Sequence, residues 1–318
     1  MKKVIITDQN FPSIEPERKV LERAGFQLEE AKPLCKTADD VIARCGGADV
    51  LLVQWAPITR EVLKALPRVK CIVRYGVGVD NFDLAAAKEL GVTAVNVPDY
   101  CVEEVSNHTL AMILSLGRRI PQDHNQIRQG KWGINPFRPI PAFSDMALGL
   151  AGFGKVGRMV ARKASVFGFR IIAFDPLAPD SIFVDSGVER VDLNTLFKTA
   201  GVISLHCPLV PETRHLINRE TISMMKQGVI LINTSRGAVV KEADLIEALK
   251  SGKVGGAGLD VFEKEPLAAD SPLRTLPNVI LTSHAASVSE KAVEILQTKA
   301  AEAARDFLQG KRPQSALV

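Results

Sequence analysis

The stretch ALGLAGFGKVGRMVARKASVFGFRIIAFDP, from Ala147 to Pro176, decides the fold, because it has the pattern of a strand, a glycine turn, a helix and a second strand. Gly152, Gly154 and Gly157 stand in G-x-G-x-x-G spacing. In such a turn the first glycine permits the tight bend, the second lets the backbone approach a pyrophosphate, and the third lets helix and strand pack closely. The helix N-terminus would face the negative phosphates. The stretch therefore predicts a βαβ unit that binds a dinucleotide.

An acidic residue follows the turn at the spacing of a ribose contact. Asp175 ends the second apolar run, where a carboxylate accepts a hydrogen bond from the ribose 2′-hydroxyl. The same carboxylate would repel a 2′-phosphate, and Pro176 follows it where an NADP-selective site would offer Arg. We therefore predict that the cofactor is NAD. A glycine turn that merely permits close packing is the alternative interpretation. The residues assigned to the turn and its ribose contact are Gly152, Gly154, Lys155, Val156, Gly157 and Asp175.

Strand and helix patterns alternate on both sides of this unit. The apolar runs are KVIITD, DVLLVQ, KCIVRYG and VTAVNVP before it, and GVISLHC, GVILINT, GGAGLDV and NVILTS after it. Such alternation predicts an α/β protein with two doubly wound parallel sheets, a Rossmann NAD-binding domain and a flavodoxin-like substrate domain. A helical tail follows His284 and is assigned to the first domain. The predicted boundaries are 1–98 plus 287–318 for the discontinuous substrate-binding domain and 99–286 for the NAD-binding domain. We expect the ligand cleft between them.

Composition limits the remaining possibilities. The 318 residues carry 40 basic and 36 acidic side chains, and the net charge of +4 is too weak to indicate a nucleic-acid partner. The five cysteines form no C-x-x-C pair, and the histidines His108, His124, His206 and His215 show no metal-ligand spacing, so we expect no disulfide and no metal. No signal-peptide pattern and no apolar stretch of membrane-spanning length is present. We expect a cytoplasmic enzyme without a membrane partner.

Three polar residues follow strands of the second domain. They are Arg236 in INTSRGAVV, Glu265 in GLDVFEKEP and His284 in ILTSHAASVS. Reduction of a 2-oxo acid needs a cation for the carboxylate, an acid for the carbonyl oxygen and a group that keeps that acid charged. Arg, His and Glu are suited to these tasks in turn. Each residue taken alone has an ordinary structural explanation, as a strand-end cation, a surface carboxylate or a buried histidine.

At these residues the whole chain resembles the D-isomer-specific 2-hydroxyacid dehydrogenase family, which includes phosphoglycerate dehydrogenases, glyoxylate/hydroxypyruvate reductases and the C-terminal binding protein corepressors. The resemblance rests on VRYGVGVDNFDLAAAKELGVTAVNVP, the glycine turn, HCPLVPETRHLIN, INTSRGAVV, and GLDVFEKEP followed by a His. It implies that Arg236 binds the substrate carboxylate, Glu265 supports the histidine and His284 is the acid/base. It further implies substrate contacts from Arg74, Val77 and Gly78, and cofactor contacts from Thr109, Cys207, Pro208, Thr213, Thr234 and Asp260. A homodimer is also expected from it.

The chain departs from the commonest family pattern after the catalytic histidine. Many members have glycines there, whereas this chain has Ala285, Ala286 and Ser287, closer to the corepressor-like branch but without its aromatic residue. The leading hypothesis is interconversion of a small 2-oxo acid and its D-2-hydroxy acid, of hydroxypyruvate, glyoxylate or 3-phosphoglycerate type. The alternatives are an NAD(H)-sensing regulatory protein and oxidation of another small anion, such as formate or phosphite. The chain ends at Val318, and we expect no serine feedback through a C-terminal domain.

Overall fold

The chain folds into two compact units. The computed structural model describes residues 1–318, with unit 1 formed by Met1–Tyr100 and Val288–Val318 and unit 2 by Cys101–Ser287. The chain therefore passes from unit 1 to unit 2 after Tyr100 and returns at Val288. These bounds lie two residues beyond the predicted position 98 and one residue beyond 286.

Unit 1 contains a five-stranded parallel sheet. Its strands are β1 (Lys3–Ile6), β2 (Gln27–Glu30), β3 (Val50–Val53), β4 (Cys71–Arg74) and β5 (Thr93–Val95), and its first helices are α1 (Glu15–Leu21), α2 (Ala38–Arg44), α3 (Arg60–Ala65) and α4 (Leu84–Glu89). The strand order β2-β1-β3-β4-β5 is that of flavodoxin-like sheets. The predicted fold class is therefore confirmed for this unit.

The predicted strand runs of unit 1 omitted β2. Its sequence, QLEE, has one buried residue, because β2 lies at the edge of the sheet and pairs only with β1. The inner strands β1, β3 and β4 are almost wholly buried and apolar, as strands covered on both faces must be. The apolar runs therefore identified the central strands and the edge strand β5, and missed the edge strand β2.

Unit 2 contains a seven-stranded parallel sheet in the order β12-β11-β10-β9-β6-β7-β8. The strands are β6 (Ala147–Ala151), β7 (Arg170–Phe174), β8 (Glu189–Arg190), β9 (Val202–Leu205), β10 (Val229–Asn233), β11 (Val254–Leu259) and β12 (Val279–Leu281). The helices are α5 (Val102–Gly117), α6 (Ile120–Arg128), α7 (Lys155–Ala164), α8 (Asp180–Ser186), α9 (Leu193–Thr199), α10 (Arg219–Met224) and α11 (Glu242–Lys250). Short 3₁₀ helices occupy Asn135–Phe137, Phe143–Asp145, Ser165–Phe167, Gly237–Val239 and Pro272–Arg274.

The sheet of unit 2 is doubly wound, as predicted. The strand order reverses between β6 and β9, the topological switch point at which Rossmann sheets bind dinucleotides. All of its strands are parallel, so their carboxyl ends lie at one edge. The loops that leave this edge carry the glycine turn, Asp175, Arg236, Glu265 and His284.

The helical tail belongs to unit 1. Helix α12 (Glu290–Leu308) is capped by Ser289, whose hydroxyl accepts a hydrogen bond from the Ala292 amide at 3.0 Å. Its buried face, which includes Leu296, Ala300 and Ala304, packs into the same core as β1, β3 and β4. No helix of the protein is both long enough and apolar enough to cross a membrane.

Candidate active site

The glycine turn between β6 and α7 has the backbone that a pyrophosphate site requires. Gly152 has φ of +100°, and a Cβ there would lie 2.6 Å from the carbonyl carbon of His206. A Cβ on Gly157 would lie 2.5 Å from the Gly152 oxygen, whereas nothing lies within 4 Å of one on Gly154. Gly154 also caps α7 without any side-chain hydrogen bond, and Lys155 and Val156 begin the helix. The open position and the uncapped amides fit a dinucleotide phosphate.

Asp175 is held beside this turn. Its carboxylate accepts hydrogen bonds from the amides of Phe153 at 2.8 Å, Leu177 at 2.9 Å and Ala178 at 3.2 Å. The Phe153 amide belongs to the glycine turn itself, so the carboxylate fixes the end of β7 against the turn. Arg190 donates to the backbone oxygen of Asp175 at 3.1 Å, a neighbouring cation that the sequence did not suggest.

The loop after β9 brings Cys207, Pro208 and Thr213 together. The Thr213 hydroxyl donates to the Pro208 oxygen at 2.6 Å and accepts from the Val210 amide at 2.9 Å, which closes the loop on itself. Burial raises the pKa of the Cys207 thiol to about 11, so the sulfur stays protonated at neutral pH. The cysteine therefore contributes no negative charge near the predicted phosphate site.

A threonine pair joins α5 to the end of β10. The hydroxyls of Thr109 and Thr234 lie 2.9 Å apart, and the Thr109 hydroxyl also donates to the Val105 oxygen at 2.8 Å. Thr109 is 0% exposed, whereas Thr234 is partly exposed. Both threonines are predicted to contact the cofactor, but only Thr234 offers surface to a ligand in this conformation.

The turn that carries Arg236 is shaped by the buried Asn233. The Asn233 amide nitrogen donates to the Arg236 oxygen at 2.9 Å, and its amide oxygen accepts from the amide and hydroxyl of Ser235 at 3.1 and 3.0 Å. The guanidinium of Arg236 donates to the Ser235 oxygen at 2.8 Å. The backbone is thus fixed at a bend from which a long cationic side chain extends.

His284 and Glu265 form a hydrogen-bonded pair. The His284 Nδ1 lies 2.8 Å from Glu265 Oε2, and the Phe262 amide donates to Glu265 Oε1 at 3.1 Å. Burial alone would raise the pKa of Glu265, but the hydrogen bond and charge of His284, the Phe262 amide and the Arg236 guanidinium together hold it below its usual value. The structure therefore brings the Arg236, Glu265 and His284 side chains to one site and keeps the carboxyl ionised.

The backbone at His284 is held by Asp260. His284 has φ of +55°, a left-handed conformation that costs most residues free energy, and its amide donates to the Asp260 oxygen at 2.8 Å. The Asp260 carboxylate accepts from the Ala285 and Ala286 amides at 2.8 and 2.9 Å and from the Thr282 hydroxyl. At 1% exposure, Asp260 is placed to fix the turn that presents the imidazole.

The remaining predicted residues lie in unit 1. Gly76 has φ of +141°, and a Cβ there would overlap the guanidinium of Arg74, which folds back to donate to the Tyr75 oxygen at 2.6 Å. The Val77 side chain is 44% exposed, and its oxygen accepts from Asn96 at 2.6 Å. Arg74 ends β4 and Val77 and Gly78 lie in the loop that follows it, in the unit that does not contain Arg236, Glu265 and His284.

Several residues around the trio were not found from the sequence. His108 Nε2 lies 3.0 Å from the Thr282 hydroxyl and 3.8 Å from the Asp260 carboxylate. Asn233 shapes the arginine turn, and His215 contacts the acidic residue Glu263 beside the Glu265 segment. Asn233 could have been found from its place at the end of β10, inside the INTSRGAVV motif. No comparable local signal marks His108 or His215, since their partners are far away in the chain.

Known proteins resemble the chain over these same regions. A family model described as the D-isomer specific 2-hydroxyacid dehydrogenase, NAD binding domain, matches residues 110–286. The chain belongs to the D-isomer specific 2-hydroxyacid dehydrogenase family. The matched residues lie within unit 2, which is therefore the NAD-binding domain of this family, and they include the glycine turn described above.

Relatives of the family align over most of the chain. D-3-phosphoglycerate dehydrogenase of Methanocaldococcus jannaschii is 40% identical over 98% of this chain, which spans only 58% of that protein. Glyoxylate reductase of Korarchaeum cryptofilum is 36% identical over 90% of this chain and 86% of its own length. The structure of D-lactate dehydrogenase from Aquifex aeolicus with NAD and lactic acid superposes with a TM-score of 0.84 at 29% identity, covering 97% of this chain and 96% of that one.

Proposed function

We propose that the protein is an NAD-dependent D-2-hydroxyacid dehydrogenase that interconverts a small 2-oxo acid and its D-2-hydroxy acid, of the hydroxypyruvate, glyoxylate or 3-phosphoglycerate type. The observation that carries this proposal is the pair of His284 and Glu265, 2.8 Å apart, beside the guanidinium of Arg236. A carboxylate-supported imidazole next to a cation is what protonation of a carbonyl in a carboxylated substrate requires. Relatives named for such substrates support the substrate class.

Each member of the trio has one task in this mechanism. Arg236 holds the substrate carboxylate through its planar, permanently charged fork. The Nδ1 of His284 is occupied by Glu265, which leaves Nε2 to donate the proton to the carbonyl oxygen. Glu265, ionised at neutral pH, stabilises the imidazolium before the transfer and fixes the ring afterwards. In the reverse direction neutral His284 accepts the hydroxyl proton.

The cofactor site supports the same reaction. NADH, when bound, supplies the hydride. The turn at Gly152, Gly154 and Gly157 and the amides of α7 bind the pyrophosphate, Asp175 accepts from the ribose hydroxyl, and the buried, protonated Cys207 adds no repulsion. Thr213 and Pro208 hold the loop that borders this site, and Asp260 orients the turn of the catalytic histidine. We assign Arg74, Val77 and Gly78 to substrate binding, and the native assembly to a homodimer.

Turnover of NADH with a panel of 2-oxo acids tests the proposal. We expect hydroxypyruvate or 3-phosphohydroxypyruvate to be reduced to the D-2-hydroxy acid, or glyoxylate to be reduced to the achiral glycolate. His284→Asn should lower kcat by a factor of about 10²–10⁴ while NADH still binds. Full activity of that variant would remove the mechanism. Assembly that depends on NADH, without turnover of any member of the panel, would instead favour an NAD-sensing protein. Ultracentrifugation of the wild type tests the homodimer.

A further inference from the structure

The segment that carries Glu265 is attached to the start of α11 through two glutamates. The Glu242 amide donates to Glu263 Oε2 at 3.0 Å, and the Glu263 amide donates in return to the Glu242 carboxylate. Each side chain therefore accepts from the other residue's backbone. This reciprocal arrangement fixes the two backbones relative to one another far more tightly than a single contact between two side chains would.

A third segment joins this pair. The His215 Nε2 lies 2.6 Å from Glu263 Oε1, and the His215 amide donates to the Ala238 oxygen at 2.8 Å. His215 itself has φ of +53°, so its backbone is held in a conformation that non-glycine residues seldom adopt. The loop after β9 is thereby tied to both the Glu263 segment and the Gly237–Val239 helix.

The backbones of the arginine turn and the Glu265 segment are in direct contact. A Cβ on Gly237, the residue after Arg236, would lie 1.9 Å from the carbonyl carbon of Phe262. Arg236 therefore sits at one side of this contact and Glu265 at the other, with Glu263 between Phe262 and Glu265 in the chain. Loss of the hydrogen bonds of Glu263 would therefore change the distance between Arg236 and the pair of Glu265 and His284.

We propose that Glu263 is a positioning residue for the reaction: by accepting from the Glu242 amide and contacting His215, it sets the distance between Arg236 and the pair of Glu265 and His284. This inference rests on the proposed function for its kinetic consequence. Glu263 does not need to touch the substrate or the cofactor. It acts through the segment Phe262–Pro266, in which it stands three residues before the proline.

The kinetic test compares Glu263→Ala, Glu263→Gln and the neighbouring Lys264→Ala. We expect Glu263→Ala to lower kcat/KM for the 2-oxo acid by about tenfold, through both a higher KM and a lower kcat, because two hydrogen bonds are lost. The KM for NADH should stay within about twofold, since the glycine turn is untouched. Gln keeps an oxygen for the Glu242 amide and a donor for neutral His215, so it should recover most of the loss. Lys264→Ala, a change in the same exposed segment, should match the wild type.

A second measurement does not depend on turnover. The protein has five histidines, so selective labelling of the rings lets the titration of His284 be followed by NMR. In Glu263→Ala the His284 midpoint should move toward that of Glu265→Ala, although Glu263 has no contact with the ring. Lys264→Ala should leave it in place. Glu242→Ala removes the carboxylate that accepts from the Glu263 amide. It replaces Glu263→Ala in both measurements if that variant fails to fold.

The outcomes separate the two proposals. An inactive wild type overturns the proposed function, and the NMR comparison then decides the role of Glu263 alone. An active wild type with Glu263→Ala or Glu242→Ala indistinguishable from it in kcat/KM and in the His284 midpoint overturns the positioning role. A fall in activity that Gln fails to rescue, with an unmoved His284 midpoint, also overturns it.

Discussion

Replacing Glu265 with Gln tests the central electrostatic argument. The substitution preserves the size of the side chain and an oxygen for the Phe262 amide, but it removes the negative charge that faces His284 Nδ1 at 2.8 Å. The imidazolium form of His284 then loses the carboxylate charge that stabilises it, whereas the neutral ring still has a hydrogen-bond partner in the Gln amide. The enzyme with His284 protonated is the form that reduces a 2-oxo acid. The rate of reduction should therefore fall most near and above neutral pH.

The size of the effect follows from the geometry and exposure of the pair. A hydrogen bond to a charged group contributes about 1.5–3 kcal/mol. The two side chains are 44% and 37% exposed, so solvent screening favours the lower end of that range. A loss of about 1.4 kcal/mol corresponds to roughly tenfold in the population of the charged ring. We therefore expect kcat for reduction at pH 7.5 to fall about tenfold.

The assay is steady-state oxidation of NADH with the best 2-oxo acid, measured across the pH range for the wild type, Glu265→Gln and Glu247→Gln. Glu247 is an exposed carboxylate of α11 whose partner is Lys250 at 3.1 Å, so it controls for loss of a surface charge. The carboxylate of Glu265 is already ionised well below neutral pH, because its pKa lies below the usual value. An unchanged pH profile in Glu265→Gln would refute the role given to this pair.

Three further predictions concern the cofactor site and the core. Asp175→Ala should reduce the preference for NADH over NADPH at least about tenfold in titrations of binding, because the 2′-phosphate is no longer repelled; an unchanged ratio would remove Asp175 from the ribose site. Gly152→Ala should weaken NADH binding and destabilise the fold by about 2 kcal/mol or more, since φ is +100° and the new Cβ would meet His206, whereas Gly154→Ala, at an open position, should destabilise the fold far less. Burial lowers the pKa of His206 to about 4 from 6.5, so the folded state binds fewer protons than the unfolded state and stability is lost as pH falls from about 6.5 toward 4. Urea unfolding should show a loss of about 2 kcal/mol between pH 7.5 and 5 that His206→Gln lacks, and equal losses in both proteins would contradict the assignment.

The sequence predicted the features whose determinants are local. The glycine turn, the acidic residue after β7 and the central strands each depend on residues within a few positions, and all lie where they were expected. Strand β8, of two exposed residues, has too few positions to show any periodicity, which is why only pairing with β7 identifies it.

The supporting residues of the site were less accessible to sequence reasoning, because their partners are distant in the chain. His108 is 174 residues from Thr282, and His215 is 48 residues from Glu263. Thr109 was predicted to contact the cofactor, yet its complete burial follows from the packing of α5, which no local pattern reports. The trio itself was found because each member follows a strand of a parallel sheet, where topology places side chains at a common edge.

The arrangement at Asp260 limits how the protein can vary. Both oxygens of this single carboxylate are used by backbone amides of the segment that presents His284, and the residue's own oxygen accepts from the His284 amide. Asn would leave one of those amides facing a donor, and no other side chain of similar length supplies two acceptors. A search for variants with new substrates should therefore recover changes in the surrounding loops while position 260 remains invariant among active clones.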